Sequence, residues 1–158
     1  MPKTFTFGRC HQTMYLVFGL RGASPAGWSA WVDAYAHATV AFGVRRLVVV
    51  SQGGGPNARQ QSEIRQALVA CLDREALQIR TAVCSDSLAA RLITRAIGWL
   101  AGITYIESFG YLERAEALAY LGVPGPQHEE LLGALRRAEI EVGSLAPRES
   151  SAQSGPGA

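Results

Sequence analysis

The chain has 158 residues, 48% of them hydrophobic and 18% charged, which is enough apolar material for one compact domain and too little chain for two cores. Lys and Arg number 15 against 13 Asp and Glu, a formal charge of +2, and the longest basic clusters are the pairs Arg45-Arg46 and Arg136-Arg137, so no nucleic-acid footprint is marked. No apolar run reaches the roughly eighteen residues of a membrane span, and Cys10, Cys71 and Cys84 are too few and too scattered for a disulfide framework or a CxxC site, so a reduced, cytoplasmic setting is expected.

Phe5 and Phe7, then Met14 to Leu20, flank a polar stretch over 8–13 and predict an antiparallel hairpin. Ser24 is an N-cap with Pro25 behind it, and Trp28, Trp31, Val32, Tyr35, Thr39 and Phe42 recur at helical spacing up to Gly43. The branched run Leu47, Val48, Val49, Val50 reads as a strand covered on both faces, the centre of a parallel sheet. Asn57 caps a second helix, with Ile64, Leu68, Cys71 and Leu72 on one face, running to about Arg74. The strand over 78–85 alternates Ile79, Thr81 and Val83 on one side with Arg80, Ala82 and Cys84 on the other.

Ser85, Asp86 and Ser87 then offer caps for a helix over 88–100, and Ile103, Tyr105 and Ile106 form a short last strand. Helices over 112–121 and 128–142 follow, the latter after Pro124-Gly125-Pro126. The expectation is an α/β sandwich: an N-terminal hairpin, alternating strands and helices around a mostly parallel sheet, and an extra C-terminal helix. One domain spans 1–142, and the Ser/Gly/Pro-rich stretch 143–158 reads as a disordered tail.

This order resembles the STAS domain, in particular its SpoIIAA-like branch, which is compared with CRAL-TRIO lipid carriers. The residues that carry the likeness are the first helix from Trp28 to Phe42, the run Leu47 to Val50, the strand Ile79 to Ser85 and a closing pattern of Phe109, Leu112, Ala115, Ala117, Leu118, Tyr120 and Leu121. Tyr120 stands where that branch commonly has Trp. The resemblance implies a non-enzymatic regulatory or protein-interaction module of bacterial cytoplasmic signalling. Phosphoregulated members carry a serine at the N-terminus of the helix after the central strand, often in Asp-Ser-Ser-Gly. Here that place holds Gly53, Gly54, Gly55, Pro56 and Asn57, which leaves Ser51 at the strand end as the candidate phosphosite.

The glycine loop has two readings. It is a turn that needs positive φ, with Pro56 setting the first helical φ and Asn57 capping, or its free N–H groups and the helix dipole hold a small anion. Gly53-x-Gly55-x-x-Ala58 formally fits a dinucleotide fingerprint, but the acidic residue due about 20 positions later is missing, and no Gly-Lys-Ser/Thr follows for a P-loop. No cofactor is expected. Strand ends in a parallel sheet gather ligands, and those ends offer Ser51, Gln52, Cys84, Ser85, Asp86, Glu107 and Ser108. If the strands of Val50 and Val83 are neighbours, Ser51, Gln52 and Asp86 share a polar crevice with Gly53, Gly54, Gly55 and Asn57, open to a protein partner or a small ligand.

Trp28, Trp31 and Tyr35 read as core, or else as the lining of an apolar ligand pocket. Leu131, Leu132, Leu135, Ala138 and Val142 give the last helix an apolar face, which packs on the sheet or supports self-association through 128–142. Cys10 and His11 are adjacent metal-ligand types with no third ligand spaced to join them, so no metal site is expected. None of His11, His37 and His128 is placed by sequence beside Cys84 or Ser51, so no catalytic group is assigned. Glu129, Glu130, Glu139 and Glu141 read as solvated helix faces.

Overall fold

The computed structural model describes residues 4–71, 79–88 and 105–143. Five strands, β1 (Phe5–Cys10), β2 (Thr13–Phe18), β3 (Arg46–Ser51), β4 (Arg80–Cys84) and β5 (Tyr105–Phe109), lie side by side in chain order. β1 runs antiparallel to β2, and every other pairing is parallel. The described helices are α1 (Pro25–Ala41), α2 (Ala58–Cys71), α3 (Arg114–Leu121) and α4 (Gly125–Glu141).

The branched run of β3 occupies the middle of the sheet, as its composition predicts. Its side chains alternate between two cores. Leu47 and Val49 join Trp28, Trp31, Tyr35, Ile64 and Leu68 of α1 and α2, while Val48 and Val50 join Leu118, Leu121, Leu131 and Leu135 of α3 and α4. Val83 of β4 and Ile79 just before it face the first core, and Ala82 and Cys84 face the second. The two-layer cover has a topological cause. Strand order never reverses, so right-handed crossovers place α1 and α2 on one face, and the other face falls to the helices that follow β5.

Local chemistry explains the boundaries. Ser24 Oγ accepts the Gly27 N–H at 3.1 Å with Pro25 at N1, and Gly43 turns the chain with φ 65°. The hairpin is tighter than the polar stretch predicts. Gly8 and Arg9 pair with Tyr15 and Met14, leaving only His11 and Gln12 for the turn, with His11 at φ 54°. β5 extends to Phe109, so Glu107 and Ser108 lie inside a strand, paired with Ala82 and Val83, and not beyond a strand end. α3 starts at Arg114 because Glu113 Oε1 accepts the Gly110 N–H at 2.7 Å and holds the preceding residues in a turn. α4 begins at Gly125, with Pro126 in its first turn as a helix former and not as a breaker.

The apolar face of α4 packs on the sheet: Leu131, Leu135, Ala138 and Val142 are buried in the second core. The predicted helix over 88–100, the C-terminal end of the second helix past residue 71, and the tail from 144 lie outside the described residues. No described helix is long and apolar enough to cross a membrane.

Candidate functional site

β3 and β4 are neighbours in register, with Val49 opposite Val83 and Val50 opposite Cys84. Their carboxyl ends therefore bring Ser51, Gln52 and Asp86 together. With Leu20, from the loop after β2, and Tyr111, from the loop after β5, they line a crevice of about 280 Å³. Leu20 and Tyr111 were not among the residues expected there.

The crevice rests on a part-buried polar network centred on Glu139. The Tyr111 hydroxyl donates to Glu139 Oε2 at 2.6 Å and is also hydrogen-bonded by the Gln52 side chain. Arg114 Nη1 donates to Glu139 Oε1, and Arg114 Nε donates to the Tyr111 carbonyl at 3.2 Å. Asp86 Oδ1 accepts the Tyr111 N–H at 3.0 Å. The loop after β5 is thus tied to the ends of β3 and β4 and to α4. Burial first, and then the Glu139 carboxylate, push the Tyr111 hydroxyl up to about 12. Burial pulls the Arg114 guanidinium down, but its bond to Glu139 and the attraction of that carboxylate outweigh it, and the net shift is upward.

Glu139 corrects the expectation of a solvated helix face. It is 1% exposed. The signal was present in the spacing: Leu131, Leu135 and Glu139 stand four apart on the buried stripe of α4, so a carboxylate at the third position must find a partner inside.

The glycine loop is engaged within the fold. Ser51 Oγ donates to the Gly54 carbonyl at 2.5 Å and accepts the Gly53 N–H at 3.0 Å. Gly54 N–H reaches the Gly19 carbonyl at 3.0 Å, and a Cβ on Gly54 would lie 1.9 Å from the Arg21 carbonyl oxygen. Gly53 has φ 149°, a conformation that favours glycine. Asn57 Oδ1 accepts the Gln60 N–H at 2.9 Å while Gln60 Oε1 accepts the Asn57 N–H at 3.0 Å, a reciprocal cap. Pro56 therefore precedes the cap instead of opening the helix. These bonds favour the turn reading over the anion site, since an anion would compete with partners already in place. Ser51 is 1% exposed and works as a staple of the loop, so a phosphoryl group reaches it only if the loop opens.

Trp28, Trp31 and Tyr35 are all buried, with ring centroids 4.7 and 5.1 Å apart in succession. They pack within the first core. The Trp28 indole donates to the Gln60 carbonyl at 2.9 Å, and Gln60 Nε2 donates to the Ala23 carbonyl, which locks α2 to α1.

The histidines are engaged elsewhere. His37 packs edge-on against Phe42, and His128 Nε2 lies 2.7 Å from the Val123 carbonyl oxygen. His11 Nε2 lies 2.9 Å from Glu130 Oε2. A third ligand type does join Cys10 and His11, contrary to the sequence expectation: Cys10, His11 and Glu130 bring one ligand atom each within 4.8 Å of one another. The second turn of α4 supplies Glu130 across 119 residues of sequence, a proximity that spacing alone does not carry.

The chain matches no protein-family model and no curated protein.

Proposed function

We propose that this chain is a non-catalytic, STAS-like interaction module that docks a protein partner on the carboxyl-end rim of its sheet. The observation that carries the reading is the placing of its exposed leucines. Leu20, Leu88 and Leu112, at 77%, 69% and 83% exposure, follow β2, β4 and β5 and so belong to one rim. Single exposed leucines are ordinary, but three on the rim that holds the polar crevice, one of them lining it, make a surface of the kind protein interfaces use. The crevice is at the small end for enclosing a ligand and suits a partner's inserted side chain, with Asp86 and the Gln52 side chain at its edge. Regulation in bacterial cytoplasmic signalling is the setting that the STAS resemblance adds to this reading.

A photoreactive side chain at position 112 and another at exposed Val40, toward the opposite end of the sheet, test it in cells. A discrete adduct from 112 but not from 40, abolished by Leu20→Asp with the melting temperature unchanged, supports the rim. Equal adducts from both positions, or binding indifferent to Leu20→Asp, overturn it.

A further inference from the structure

We propose that Cys10, His11 and Glu130 form a binding site for a divalent transition metal, Zn(II) being the best match, which clamps the β1–β2 hairpin to α4. The donor set is a thiol, an imidazole and a carboxylate, the three side-chain types that zinc takes. Glu130 meets His11 at 2.9 Å, and the Cys10 sulfur lies within 4.8 Å of both ligand atoms. Bond lengths of about 2.0 to 2.3 Å put the ligand atoms of a tetrahedral site roughly 3.3 to 3.7 Å apart. Here the His11 and Glu130 atoms are 2.9 Å apart and all three lie within 4.8 Å, so side-chain rotation suffices to open the first pair and draw in the sulfur.

Charge agrees with this. Binding displaces the Cys10 proton to solvent, and the thiolate and the Glu130 carboxylate then balance the charge of the dication. The turn is also held for the purpose, because Arg9 Nη1 donates to the His11 carbonyl at 2.7 Å. Thr13 pairs with Cys10 across the ladder, on the same face of the sheet, and its buried hydroxyl has no partner. It is a donor at hand for a thiolate. The Cys10 side chain is buried while those of His11 and Glu130 are 49% and 61% exposed, which leaves the fourth position open to water and gives the ion a route in.

Titration of the full-length, reduced protein with Co(II), followed by Zn(II) competition, tests the site. One equivalent of Co(II) should give thiolate-to-metal charge-transfer absorption, which Zn(II) abolishes. Glu130→Gln, at an exposed position, and His11→Asn, which tolerates the positive φ, should each weaken Zn(II) binding by at least about tenfold, and Cys10→Ala should remove the absorption. The site is overturned if no charge-transfer band forms, if the band survives Cys10→Ala, or if Glu130→Gln and His11→Asn both bind as tightly as the parent.

Discussion

Glu139 has lost nearly all of its contact with water, and Arg114 and the Tyr111 hydroxyl stand where that water would be. Removing one partner from such a pair leaves the other desolvated without compensation. Glu139→Gln should therefore cost about 3 kcal/mol, the low end for a buried pair, because Arg114 keeps some solvent contact. Replacing both ends, Glu139→Met with Arg114→Met, should return more than half of that loss, read from urea midpoints. A double variant no more stable than Glu139→Gln would show that the pair itself is not what holds the loop after β5. Residue-level chemistry was the least legible part of the sequence. The polar rim residues Ser51, Gln52 and Asp86 follow from strand ends alone, but Tyr111, Arg114 and Glu130 acquire their roles from contacts made across long stretches of chain.

At the scale of elements, the glycine loop separates two kinds of glycine. A Cβ at Gly54 meets the backbone of Arg21, which has no side-chain freedom with which to yield, whereas a Cβ at Gly55 has nothing within 4 Å. Gly54→Ala should destabilise by about 2 kcal/mol or more, while Gly55→Ala stays within about 0.5 kcal/mol of the parent, as thermal or urea unfolding would show. Equal effects would remove the close approach of the two loops as the reason for the glycine. Most elements were legible because single strong signals defined them: Ser24-Pro25 for α1, the branched run for β3, alternation for β4. The sequence pattern ends β5 early because Glu107 and Ser108 break the apolar run on a strand with one open edge. The sequence pattern starts α4 late because Pro126 has opposite meanings before a helix and in its first turn.

For the molecule as a whole, the alkaline side is where stability should fall. Tyr111 holds its proton more tightly folded, at about 12, than unfolded, near the ordinary value of 10.0, and burial shifts Tyr15, Tyr35, Tyr120 and Cys10 in the same direction. A group raised in this way contributes fully below its unfolded value, and the contribution is lost as pH rises through the folded one. Urea midpoints should therefore hold level up to about pH 9 and decline between pH 10 and 12, less steeply in Tyr111→Phe, which removes one of the protons concerned. An identical decline in Tyr111→Phe would sever Tyr111 from the effect.

The strand order also has a bearing on biosynthesis. Among the described residues, the helical cover of the second face of the sheet comes last in the chain, between Arg114 and Val142. Until those helices are translated, the apolar side chains of Val17, Val48, Val50, Ala82 and Cys84 lack the helical cover they have in the finished fold. Nascent chains stalled before Arg114 are thus the species on which a chaperone should act, and premature stop codons in that region should yield insoluble product rather than a smaller folded unit.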